Sequence, residues 1–228
     1  VSRDDGPVIV AIDGPGGVGK STVTRLLARR LSLPYLETGA MYRALGLKVL
    51  DEALDPADEP AVSRLAETLD LEIEALPDGG TSIRLDGRAV GERLRDERVA
   101  QVTSQVAQYP RVRQRMVDLQ RRFGRRQGAV MEGRDIGTRV FPETPFKFFL
   151  EADPEVRVRR RLGEHRERGA GEQDPEALRR ELLERDERDR RRADSPLRRD
   201  ASYTAIDTSR LTAEEVAERI AAIVERSG

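Results

Sequence analysis

Apolar and polar positions change period several times along the chain, and each change marks an element. Val8–Ile12 is a continuous, β-branched apolar run, too short for a helix and suited to a buried parallel strand. A glycine-rich loop follows. From Ser21 the spacing of Val23, Leu26, Leu27 and Leu31 predicts an amphipathic helix, so the chain opens as the first part of a βαβ unit. Tyr35-Leu36 is a short second strand, and Glu37-Thr38-Gly39 leads into a helix reaching Leu50. Asp51–Pro60 is an acidic loop, after which helical spacing returns at Val62, Leu65 and Leu69. At Leu71 the period becomes two. Leu71 and Ile73 alternate with Glu72 and Glu74, Pro77–Gly80 is a turn, and Thr81–Leu85 is the returning strand. Asp86-Gly87 turns again before Arg88–Val90.

The later half reads in the same way. Helices are expected over 93–108 and 111–126, split at Pro110, with strands at Ala129–Met131 and Phe146–Leu150. Asp153-Pro154 and Asp174-Pro175 each join an aspartate N-cap to a proline at the first helical position, and open helices over 154–167 and 175–193. Arg168–Gln173 between them is a glycine-bearing loop. Pro196 stops the second helix, Tyr203–Ile206 is a last strand, and Thr212 caps a helix carrying Val216, Ile220 and Ile223. Strands alternating with helices make the fold class α/β, a parallel sheet with helices on both faces. The alternating segment at 70–91 is a small antiparallel sheet inserted in it.

Composition narrows the chemistry. Hydrophobic residues are 37% of the 228 and charged residues 36%, a compact core under a charged surface. Lysine plus arginine number 41 and acids 42, so no overall bias points to nucleic acid or membrane. There is no cysteine and only one histidine, His165, which removes thiolate metal sites and leaves histidine triads little support. No apolar run has the length of a membrane span, and Val1–Pro7 lacks the layout of a signal peptide; cytoplasmic residence is expected. The positive charge is almost all arginine. Lys20, Lys48 and Lys147 are the only lysines.

Lys20 lies in the sharpest motif. Gly14-Pro15-Gly16-Gly17-Val18-Gly19-Lys20-Ser21 fits Gly-x-x-x-x-Gly-Lys-[Ser/Thr], after a strand and before a helix. The glycines let successive N–H groups point at an anion, and the helix adds its positive end. Lys20 would reach the β- and γ-phosphates of a triphosphate, and Ser21 would ligate Mg²⁺. No Asn-Lys-x-Asp guanine-reading tetrapeptide occurs, which disfavours a switch GTPase. Three further clusters suit a second, phosphorylated substrate. Thr38 and Arg43 offer a hydroxyl and a bidentate guanidinium. Arg134 and Asp135 follow a strand, where α/β folds bind ligands. Arg185, Asp189 and Arg192 share a helix face by their i, i+4, i+7 spacing, although that stretch alone reads as a solvated, charge-dense surface. His165 reads as an exposed helical residue, and Phe146, Phe148 and Phe149 as core.

Together these motifs resemble the bacterial cytidylate kinases. The resemblance is carried by Ile12-Asp13-Gly14-Pro15, by Thr38-Gly39-Ala40-Met41-Tyr42-Arg43, and by Ser104-Gln105-Val106-Ala107 with Pro110-Arg111-Val112-Arg113. It continues through Glu132–Thr138, Val140-Phe141-Pro142, Glu184-Arg185-Asp186, Arg188-Asp189-Arg190 and Ile206-Asp207-Thr208. It implies a P-loop nucleoside monophosphate kinase with its core in 7–61 and 92–228, an acceptor-side β insert in 62–91 and a helical lid in 157–175. It also implies transfer of the γ-phosphoryl group of ATP to CMP or dCMP; apart from the resemblance, a monomer that binds neither nucleic acid nor membrane is expected.

Site residues carry over from the same resemblance. Gly14, Pro15, Gly16, Gly17, Val18, Gly19, Lys20, Ser21 and Thr22 would hold ATP with Mg²⁺. Ser104, Arg113 and Asp135 would read cytosine, Arg185 and Asp189 would contact the sugar, and Thr38, Tyr42, Arg43, Arg134 and Arg192 would surround the CMP phosphate, with Gly133 beside them. Lys20, Arg134 and Arg192 would be the catalytic cations, with Arg157 and Arg161 candidates for closing over ATP. Position 38 is threonine where serine is expected; the hydroxyl is kept. Two rivals remain at this point: a P-loop kinase for uridylate, adenylate or shikimate, and a nucleotide-dependent RNA-binding protein.

Overall fold

The computed structural model describes residues 2–3, 6–76, 78–167, 173–192 and 194–226. Its strands are β1 (Ser2–Arg3), β2 (Gly6–Pro7), β3 (Ile9–Asp13), β4 (Tyr35–Glu37), β5 (Leu71–Ala75), β6 (Thr81–Leu85), β7 (Arg88–Ala89), β8 (Ala129–Gly133), β9 (Phe146–Glu151) and β10 (Thr204–Asp207). Its α-helices are α1 (Lys20–Leu31), α2 (Thr38–Asp51), α3 (Glu59–Glu67), α4 (Glu97–Val106), α5 (Pro110–Gln127), α6 (Pro154–Glu167), α7 (Pro175–Arg191) and α8 (Ala213–Arg226). Two compact units emerge. One holds Ile9–Ser32 and the chain from Val130 onward, the other Ser2–Val8 and Leu33–Ala129.

The first unit is built on a central parallel sheet flanked by helices, with strand order β10-β9-β3-β8. β3 pairs in parallel with β9, and β9 with β10. All five residues of β3 are buried, so its continuous apolar run is what a strand covered on both faces requires. Burying Val10 and Ile12 contributes roughly 1.5–3 kcal/mol each. α8 packs on α1 through Val216, Ile220 and Val224. Its start is a reciprocal cap: Glu215 N–H donates to Thr212 Oγ1, and Thr212 N–H donates to Glu215 Oε2. Asp174 caps α7 by accepting from the N–H groups of Glu176 and Ala177. Phe146, Phe148 and Phe149 are buried as expected, whereas His165 is half-buried on α6 rather than exposed. Of the loop expected at Arg168–Gln173, all but Gln173 lies outside the described residues.

In the second unit β5, β6 and β7 form the antiparallel sheet, in register Ile73↔Ile83 and Leu85↔Arg88. The helix expected over 93–108 is broken. Glu92–Arg95 is a 3₁₀ turn, and Asp96 starts α4 by accepting from the Arg98 N–H. α2 and α4 pack closely because Gly46 has no side chain; a Cβ there would stand 2.5 Å from Thr103 Oγ1 and 3.2 Å from the Val99 carbonyl oxygen. We expect Gly46→Ala to push the two helices apart and destabilise the protein by about 1–3 kcal/mol, read as a lower midpoint in urea unfolding.

Candidate functional site

The phosphate loop leaves β3 where a side chain has no room. A Cβ on Gly14 would lie 2.3 Å from the Leu150 carbonyl oxygen of β9. The loop ends at Gly19, whose φ of 90° is the left-handed conformation that lets the chain enter α1 directly. Amides curled toward an anion turn the loop carbonyls the other way, and each needs a donor. Lys20 Nζ donates to the Gly14 and Pro15 carbonyls at 2.8 and 2.6 Å. Arg157 Nε donates to Gly16 O at 2.7 Å, and Arg160 Nη1 to Val18 O at 3.1 Å. Arg157 is also ion-paired at 2.6 Å with Asp186 of α7, both side chains being almost wholly buried. Arg157 therefore braces the loop from within the protein, which corrects the expectation that it closes over ATP. Arg161 is half-buried and pairs with Glu164 at 2.7 Å.

Burial, then the guanidiniums of Arg134 and Arg185, push the Lys20 ammonium down to about 7; Glu132 and Asp13 oppose them. Burial and like charge thus both work against the Lys20 ammonium.

Asp13, one residue before the loop, is fully buried. Its Oδ1 accepts from Ile136 N–H and its Oδ2 from Gly137 N–H, both at 2.9 Å, while the Tyr203 hydroxyl donates to Oδ2 at 2.7 Å. These bonds hold a π-helical turn, Ile136–Val140, directly after Arg134 and Asp135. Arg134 Nε pairs with Asp189 Oδ2 at 2.8 Å, and Arg192 pairs with Asp189 Oδ1. Burial alone would raise the Asp189 carboxyl, but Arg134 and Arg192 hold it below the usual carboxylate range. Asp186 and Asp189 are both buried, so this face of α7 is not the solvated surface its composition suggests. Arg185 remains exposed, and above all the nearby Arg134 charge pushes it down to about 10. Arg192 lies just past the helix, with φ −54° and ψ 134°.

A separate cleft of about 240 Å³ opens beside the loop, lined by Val18, Thr22, Arg160, Thr208, Leu211 and Val216. Arg160 Nη2 and Nη1 grip Thr208 O and Oγ1 at 2.7 and 2.9 Å.

The second unit carries the remaining predicted residues. Thr38 is buried at the first position of α2, and Arg43 pairs with Glu37. The Arg113 guanidinium stands 5.6 Å from the Tyr42 ring centroid, and its Nη1 donates to Ala107 O at 3.1 Å. Ser104 is exposed on α4. Arg113 and Tyr42 are thus brought together.

The family model described as cytidylate kinase matches residues 10–226. The chain belongs to the cytidylate kinase family. The cytidylate kinase of Pelotomaculum thermopropionicum is 45% identical over 215 residues, covering 94% of this chain and 95% of its own length. That of Geobacillus thermodenitrificans is 44% identical over 222 residues, covering 97% and 98%. A solved structure of an uncharacterized protein from Eubacterium ventriosum aligns with a TM-score of 0.52 at 14% identity, covering 96% of this chain and 98% of that one, a likeness of fold alone.

Sequence reasoning missed Asp13, Tyr203, Asp186, Arg160 and Thr208 as parts of this arrangement. Asp13, Asp186 and Thr208 lay inside the motifs that carry the family resemblance, so a signal existed; Tyr203 stood in an ordinary strand pattern and offered none.

Two outcomes follow. Removing one partner of the buried Arg157–Asp186 pair should cost about 3–5 kcal/mol, so Asp186→Ala should unfold at much lower urea than a paired Arg157→Met/Asp186→Leu variant. The second concerns protons. Lys20 titrates at about 7 instead of its ordinary 10.5, so between those values the unfolded chain holds a proton that the folded protein lacks, and this group's contribution to stability rises with pH across that window. A polyphosphate bound beside Lys20 should reverse the shift. Binding ATP at pH 8 should therefore take up protons, seen in calorimetry as a binding enthalpy that depends on buffer ionisation and is lost in Lys20→Met.

Proposed function

We propose that this protein transfers the γ-phosphoryl group of ATP to CMP or dCMP, giving CDP or dCDP and ADP. The observation that carries the reading is the cationic cluster at the phosphate loop, Lys20 with Arg134 and Arg185 about it, in a chain of this family. Such a cluster draws anionic groups toward it.

On the donor side, the loop Gly14–Ser21 with Thr22 holds the triphosphate. The cleft beside Arg160 and Thr208 takes the adenine, its Val18, Leu211 and Val216 walls offering apolar cover. Lys20 releases the Gly14 and Pro15 carbonyls and turns to the β- and γ-phosphates. Among the described residues no three carboxylates or histidines gather as a metal cage. The fit is to Mg²⁺ carried in by ATP, ligated by phosphate, water and the exposed Ser21 hydroxyl. When bound, Mg²⁺ neutralises charge on the phosphates.

On the acceptor side, Asp135 accepts the 4-amino group of cytosine while Arg113 and Ser104 donate to O2 and N3. Arg185 and Asp189 serve the sugar, and Thr38, Tyr42, Arg43, Gly133, Arg134 and Arg192 the phosphate. The Asp189 carboxylate, shared by Arg134 and Arg192, keeps two like charges side by side, the arrangement that braces an oxygen-rich group passing between phosphates. The attacking oxygen of CMP is already an anion, so positioning and charge stabilisation suffice and no strong base is needed. The partners on this reading are the two nucleotides alone, and the enzyme works as a cytoplasmic monomer. The balanced charge fits the absence of a nucleic-acid partner.

A coupled assay of ADP release with CMP, dCMP, UMP, AMP and shikimate tests the reading. CMP and dCMP should be preferred over UMP by about 1–3 kcal/mol, because uracil sets an acceptor against Asp135. Equal use of UMP or AMP would sink it. Lys20→Ala should lower kcat by roughly 10²–10³ with the fold intact; near-normal turnover would refute the proposed role of the loop.

A further inference from the structure

We infer that Asp13 and Tyr203 are positioning residues that fix the direction of Asp135, and that through it they set which pyrimidine the acceptor site takes. The inference rests on the reading of Asp135 as the cytosine reader. The two amides that Asp13 holds, those of Ile136 and Gly137, are the first two after Asp135. The Asp135 carbonyl is closed from the other side by the N–H groups of Arg139 at 2.8 Å and Val140 at 3.2 Å. The backbone carrying the Asp135 carboxylate is therefore clamped on both sides.

Tyr203 adds the second direction. Its hydroxyl completes the set of donors on Asp13 Oδ2 and takes a hydrogen bond from the Thr138 hydroxyl. The turn lies directly on this phenol, since a Cβ on Gly137 would stand 2.6 Å from the Tyr203 oxygen. The ring cannot easily move aside. It is buried with Phe149 and Leu197, edge-on to Phe149 at 85° with centroids 6.0 Å apart. The phosphate loop, by contrast, has its own supports in Arg157 and Arg160. Loosening the Tyr203 end should let Asp135 drift while the donor loop stays. A carboxylate that drifts loses an amino donor and relieves its repulsion of a carbonyl acceptor, so it discriminates cytosine from uracil less well.

The experiment is steady-state kinetics of the full chain with CMP and UMP as acceptors, on the wild type, Tyr203→Phe and Gly137→Ala. Phenylalanine keeps the packed ring and removes only the hydroxyl. We expect the CMP:UMP ratio of kcat/KM to fall roughly three- to tenfold in Tyr203→Phe, through KM for CMP, with KM for ATP unchanged. Gly137→Ala, which drives a methyl into the same oxygen, should lower the ratio in the same direction. A lower melting temperature with an unchanged ratio would make the hydroxyl merely structural and overturn the inference, as would a matching rise in KM for ATP. A wild type that does not prefer CMP overturns the reading of Asp135 and the inference with it, whereas a wild-type preference that survives both substitutions overturns the inference alone.

Discussion

A carboxylate with no solvent contact, Asp13, sits where the central strand of the first unit ends. Burial pushes it up to about 6, against the pull of two amides and a phenol. Moving such a group out of water costs several kcal/mol, and each hydrogen bond to a charged group returns roughly 1.5–3. Making these bonds steadies the end of the strand and hangs the Ile136–Val140 turn from the same oxygens, one residue before the phosphate loop begins. The orientation of Arg134 and Asp135 is thus tied to the residue that launches the loop.

The loop itself imposes a second demand. An anion nest points N–H groups inward, which leaves its carbonyls facing protein. Here three long cations meet them: Lys20 at Gly14 and Pro15, Arg157 at Gly16, Arg160 at Val18. Arginine suits the last two positions because its fork serves two acceptors at once. Arg157 spans from the loop to Asp186, and Arg160 from the loop to Thr208. The same guanidiniums that hold the nest thereby link it to α7 and to the end of β10.

What was legible in the sequence was what is local. The strand, loop and helix through Lys20, the Asp174 cap and the Thr212–Glu215 box all have partners within a few residues, where spacing carries the information. Asp13 meets Gly137 across 124 positions and Tyr203 across 190, and Arg157 meets Gly16 across 141, separations at which no periodicity exists to be read. The charge run over Arg179–Arg192 shows the same limit. Its composition is that of a solvated face, and only Arg157 on α6 and Arg134 after β8 bury Asp186 and Asp189 within it. The π-helical turn was hidden for a related reason: besides its own backbone bonds it depends on Asp13, across 123 and 124 positions.

The rarity of lysine can now be given a physical meaning. Lys48 is a half-buried partner of Asp86 and Glu52, and Lys147 ties Pro142 to Ser202. Lys20 is different, because burial first and then the Arg134 and Arg185 guanidiniums push its ammonium down to about 7. Arginine in that place would stay charged at any such pH and would add its repulsion to Arg134 and Arg185 whenever the loop was empty. On the proposed reading an ammonium can give up its proton more easily than a guanidinium and would recover it beside phosphate. Lys48, held by two carboxylates, keeps its charge, whereas on the proposed reading the charge of Lys20 depends on the ligand.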